Sequence, residues 1–90
     1  MSDHNLRNLL EELQNEIDNA KSKDDKGRSL LRELSSAIGD YLGSSDEGRK
    51  EAGETLRERL KDSIDHFEIT HPTLTMMLSQ ASTILSNAGI

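Results

Sequence analysis

The chain has 90 residues, a formal net charge of −6, a sequence pI of about 4.9, 32% hydrophobic residues, 2% aromatics and no cysteine. One domain, 1–90, is expected, and a chain this short buries only about 60–65% of its unfolded surface. The charge disfavours nucleic acid and anionic membrane surfaces as partners. The lack of cysteine excludes a disulfide framework and a thiolate metal site.

Charged residues make up 31% of the chain, a level that also suits disorder. The apolar positions are periodic rather than scattered, so folded helices are expected. Residues 1–5 are polar and no apolar leader core follows. The uncharged run 72–90 is too rich in Ser, Thr, Gln and Asn to span a bilayer, and the expected location is the cytoplasm.

In chain order, Ser2 or Asp3 is placed to cap a first helix, 3–20. Leu6, Leu10, Leu13, Ile17 and Ala20 step by four, three, four, three, and Leu9 widens the stripe. Glu11, Glu12, Glu16 and Asp18 face water, and Lys21 and Lys23 suit the negative end of the helix dipole. Residues 21–27 read as a polar linker in which Asp24 or Asp25 caps a second helix, 25–42. That helix carries Leu30, Leu31, Leu34, Ala37, Ile38, Tyr41 and Leu42 on one side. The short connection predicts an antiparallel hairpin.

Gly43 fits the left-handed position after the second helix. Ser44 and Glu47 then match a capping box opening a third helix, 45–68, whose face is Ala52, Leu56, Leu60, Ile64 and Phe67. Glu54 with Arg57 and Glu58 with Lys61 are favourable pairs three residues apart. A single long bent helix joining the second and third, in an extended coiled-coil-like dimer, is the alternative.

The stretch from His66 onward organises the chain, because it holds the only proline and the only phenylalanine. Pro72 ends one helix and starts another, 72–88. Proline at the first helical position favours His71 as cap, whereas Thr70 has the better capping side chain and would pair Ile69 with Leu74 as a staple. Leu74, Leu78, Ala81, Leu85 and Ala88 form a heptad-spaced face that Met77 and Ile84 widen. Thr75, Ser79, Ser82, Thr83 and Ser86 form a small uncharged face, read either as covered by another helix or as a plain polar surface. Gly89 fits the left-handed position of a Schellman ending, with Ile90 packing back on Leu85.

The run Phe67-Glu68-Ile69-Thr70-His71-Pro72-Thr73-Leu74, followed by Leu85-Ser86-Asn87-Ala88-Gly89-Ile90, resembles the C-terminal signature of a family of small bacterial proteins, domain of unknown function 4404. The leucine-rich acidic start (Leu6, Leu9, Leu10, Glu11, Glu12, Leu13) is similar too, so the resemblance covers essentially the whole chain. It implies a bacterial intracellular protein and carries no activity or catalytic residue. Phe67, His71, Pro72, Gly89 and Ile90 are its structural positions.

Residues 43–50 (GSSDEGRK) nearly spell a phosphate loop. Arg49 stands where that motif needs Lys, Lys50 stands where it needs a hydroxyl, and no strand precedes it. His66, Glu68 and His71, with Asp65 nearby, are the nearest approach to a zinc set, but their spacing does not share a helix face. No nucleophile–base pair presents itself, so neither an enzyme nor a cofactor is expected.

The expected fold is all-α. Four helices form antiparallel hairpins in a bundle or coiled-coil-like arrangement, completed by oligomerisation because the core is thin. Leu74, Met77, Leu78, Ala81 and Leu85 are the candidate interface, with a dimer favoured. The expected role is a non-enzymatic, self-associating structural or interaction module. The alternative is a regulatory module binding a protein or small ligand in a groove beside Met76 and Met77.

Overall fold

Heptad-spaced leucines make the helices, and the breaks fall where cap residues and Pro72 interrupt them. The computed structural model describes residues 2–20 and 24–89. It contains α1 (Ser2–Asn19), α2 (Asp25–Leu42), α3 (Arg49–Phe67) and α4 (Pro72–Asn87), with no strand among the described residues. Lys21 and Lys23, read as favouring the end of the first helix, lie outside the described residues. So does Ile90.

Each helix packs on two neighbours: α1 on α2 and α4, and α3 on α2 and α4. The α1/α3 and α2/α4 pairs lie on the diagonals of this ring, around one core. Leu6, Leu10, Leu13 and Ile17 enter it from α1, and Leu30, Leu31, Leu34, Ala37, Ile38 and Tyr41 from α2. Leu56, Leu60 and Phe67 of α3 and Leu74, Leu78, Ala81 and Leu85 of α4 complete it. The Cα radius of gyration is 12.2 Å, the value of about 12 Å expected for a folded domain of this length.

Several expectations need correction. The core cluster draws on all four helices of a single chain. Leu74, Leu78, Ala81 and Leu85, read as an interface, are buried against their own chain, and Met77 is half-buried beside them. The four apolar stripes satisfy one another because the chain folds into a ring of four helices. The small uncharged side of α4 is not wholly covered either: Ser79, Thr83 and Ser86 are exposed, while Thr75 and Ser82 are half-buried.

The α2–α3 connection also differs. α3 begins at Arg49, four residues later than expected, with Gly48 as a cap that has no side chain to offer. The Ser44–Glu47 capping box does not form, because the helix starts beyond it at Arg49, and the Ser44 hydroxyl donates back to the Tyr41 carbonyl at 2.7 Å. Residues 46–48 make a turn closed by the Gly48 amide on the Ser45 carbonyl at 3.1 Å. The two helices are therefore separate, and the long bent helix is overturned. Gly43 has φ −91°, outside the left-handed region, and its amide bonds the Gly39 carbonyl as a cap.

The face of α3 keeps three of its five expected members, Leu56, Leu60 and Phe67. Gly53, Leu56, Leu60, Ser63 and Phe67 are buried, and Ala52 and Ile64 flank them half-buried. Periodicity counted on apolar residues misses two members of this face, because they are Gly and Ser. Their small size suits close approach of the neighbouring helices. At the far end Gly89 has φ +84°, as the left-handed ending requires, and its amide bonds the Ser86 carbonyl at 3.1 Å.

Leu78 is fully buried, and Leu78→Ala is expected to cost roughly 2–5 kcal/mol, a large part of the stability of a domain this small. Ser63 is the opposite case: its Oγ is buried without a hydrogen-bond partner. Ser63→Ala removes an unsatisfied group at little loss of volume, and a gain of about 1 kcal/mol is expected. Urea midpoints of the two variants, moving in opposite directions from the parent, check both.

Candidate functional site

Polar groups with defined partners gather where the start of α2 meets the end of α3 and the α3–α4 turn. Asp24 caps α2, its Oδ2 accepting from the Gly27 amide at 3.1 Å. The same oxygen lies 2.9 Å from His66 Nε2, on the last turn of α3. One carboxylate thus ends α2 and ties it to α3. Asp25 pairs with Arg28 one turn on. At the other end of the molecule Arg7 of α1 donates to the Leu42 carbonyl at the end of α2, at 3.1 Å. It supplies a cation where the dipole of α2 is negative.

Phe67, at 1% exposure, sits between two imidazoles. The His66 and His71 rings meet it edge-on at centroid distances of 4.8 and 5.0 Å. His71 is the N-cap of α4, with Pro72 at the first position. Its Nδ1 lies 2.9 Å from the Thr70 hydroxyl, and its carbonyl accepts from the Thr75 hydroxyl at 2.9 Å. The choice between Thr70 and His71 thus resolves to His71. The Ile69–Leu74 staple does not form, since Ile69 is 88% exposed.

The zinc-type residues are not drawn together. His66 is engaged by Asp24, His71 by Thr70, and Phe67 packs against both rings. Among the described residues no group of three or more His, Cys, Asp or Glu is placed to hold a metal ion. His66 is half-buried and bonded. Nothing in the sequence links it to Asp24, 42 positions away. The segment that nearly spells a phosphate loop follows helix α2 where the motif needs a strand, and Asp46 pairs with Arg49 at 3.4 Å.

Concave surface lies elsewhere. A groove of about 420 Å³ runs between α3 and α4, with half-buried Ile64 and Ser82 among its lining and a rim of Glu54, Arg57, Glu58 and Lys61. It is open because α4 presents Ser82 to this seam, where a leucine would fill it. The groove sits further along α4 than the one expected beside Met76 and Met77. A second, of about 820 Å³, lies between the end of α1 and the first half of α2, over Ile17 and Leu31. No helix among the described residues is long and apolar enough to cross a membrane.

These features define a small all-α bundle whose polar side chains mostly serve helix ends and turns. The chain belongs to the family described as Domain of unknown function (DUF4404), whose model matches residues 6–90. No curated protein and no solved structure matches the chain.

Asp24→Ala removes both a cap and the His66 contact, so it is expected to cost about 1–2 kcal/mol. His66→Ala is expected to cost less, and the coupling in a double-mutant cycle to stay below about 1 kcal/mol, because Asp24 is half exposed. Chemical denaturation of the two single variants and the double variant checks the order.

Proposed function

We propose that this chain is a non-enzymatic, self-associating structural or interaction module of the bacterial cytoplasm, its helices paired as antiparallel hairpins, with a homodimer as the working form. The observation that carries this reading is the outward side of α4. That helix has no charged residue from Pro72 to Asn87, whereas each of the other three helices carries both signs. Its exposed positions include Met76, 62% exposed, with Ser79 and Thr83. The centres of protein interfaces are depleted in charge, because desolvating an ion costs more than a contact returns. The arrangement of the ends supports the hairpins: Arg7 joins the start of α1 to the end of α2, and His66 joins the end of α3 to the start of α2.

A second reading, a regulatory module that takes a protein segment or small ligand, is favoured by the α3/α4 groove. Its partly apolar lining beside Ile64 and its two-signed rim suit an uncharged or zwitterionic group.

Light scattering after size exclusion, repeated over a dilution series with thermal melts, separates the readings. The self-association reading expects twice the chain mass at high concentration and a melting temperature that falls on dilution. A monomer with a concentration-independent melt refutes it and leaves the groove as the surface to test.

A further inference from the structure

We infer that the dimer forms through the α3/α4 side of the bundle, α3 lying antiparallel on the partner's α3 about a two-fold axis that passes between Arg57 and Glu58. This rests on the self-association reading above and adds the surface and the register. The first support is the charge order along α3. Lys50, Glu54, Arg57, Lys61 and Ile64 recur at four, three, four, three, one stripe of an α-helix. The stripe adjoins α4, because Glu54, Arg57, Lys61 and Ile64 line the groove together with Ser82. All but Ile64 are exposed.

Read in both directions from the middle, the centre line of this stripe opposes unlike charges, while its two edges oppose like ones. With the axis between Arg57 and Glu58, Glu54 faces the partner's Lys61, and Lys61 faces the partner's Glu54. Glu54 and Lys61 lie two turns apart on the centre line, so the contact is made twice. At the axis itself Arg57 and Glu58 occupy opposite edges of the stripe, and each meets its own copy. That keeps the association weak and reversible. A parallel alignment of the two α3 helices in register sets Glu54 on Glu54 and Lys61 on Lys61, and is disfavoured.

Charge elsewhere agrees. α1 holds five acids against Arg7 alone, whereas α3 holds five acidic and five basic residues and α4 none. α1 is diagonal to α3 in the ring, so contact through α3 and α4 keeps the two acidic helices apart. The small side of α4 (Ser79, Ser82, Thr83) then meets its own copy with neither bulk nor charge. Area permits it. A side of the bundle measures 37 by 19 Å, roughly 700 Å², close to the ~800 Å² per partner of a standard interface. Exposed ion pairs add little affinity, so their part here is orientation and register, while Ile64 and the α4 surface supply the burial.

The test uses the full chain, Lys61→Glu and the swapped double variant Glu54→Lys/Lys61→Glu, each followed by sedimentation equilibrium. Lys61→Glu sets like charges together at both symmetry-related contacts, and the dimer is expected to weaken about tenfold or more. The double variant restores unlike charges and is expected to recover most of that loss. A parent chain that is monomeric at every concentration overturns the self-association reading and this surface with it. A parent dimer that Lys61→Glu leaves unchanged overturns this surface alone. Should Lys61→Glu perturb folding, spin labels decide, since the chain has no cysteine of its own. Labels on Glu58→Cys are expected closer together across the dimer than labels on Glu12→Cys, and the reverse order overturns the proposal.

Discussion

Leu10, Leu34, Leu60 and Leu78, one from each helix, are completely withdrawn from water in a single cluster. A chain with 32% hydrophobic residues and a lone phenylalanine has little else to hold it together. Every helix therefore has to turn its stripe to the same axis, and only a ring in which each helix touches two others achieves that. Each fully buried leucine contributes about 1.5–3 kcal/mol against the chain entropy lost on ordering. The small residues of α3 and α4 serve the same end, since Gly53, Ser63 and Ala81 are buried in positions where bulk would part the helices.

The ends of the helices carry most of the specific polar chemistry. Asp24 satisfies an amide at the start of α2 and reaches His66 on α3, so one side chain both starts a helix and places its neighbour. Pro72 supplies no amide where α4 needs none, and His71 before it stays out of the α region, at φ −136° and ψ 69°. Packed edge-on against Phe67, the two histidines extend the apolar core to its polar end. Their placement accounts for them as structural residues.

The surface is unevenly charged. α1 carries most of the acidic excess, α3 alternates sign, and α4 is neutral throughout. Such a distribution leaves one long side of the bundle where another molecule meets little net charge. On that side the helix seam is also underfilled, because Ser82 stands beside Ile64 in the α3/α4 groove. Both the self-association and the ligand readings draw on this region, and they differ in whether the groove is covered or occupied.

The sequence by itself determined the all-α class, the number of helices and nearly all their ends. Repeats of three and four, a capping aspartate, one proline and one left-handed glycine are local signals that act within a turn or two. Leu6, Leu10, Leu13 and Ile17 were legible as a buried stripe for that reason, and the C-terminal motif was enough to point to the family. The burial partner of each stripe was not legible, because an apolar face looks the same whether another helix of its own chain or a second copy covers it. Leu74, Leu78, Ala81 and Leu85 were read as intermolecular on those grounds, and tertiary packing placed them inside. Gly53 and Ser63 escaped the pattern because their burial follows from close helix approach and not from hydrophobicity. The capping box at Ser44 failed because the chain makes a further turn before α3 begins at Arg49, with Gly48 as its cap. The tie between Asp24 and His66, and the groove beside Ser82, exist only once four helices stand in a ring. Contacts between residues distant in sequence depend on where whole helices come to rest, and no local pattern encodes that.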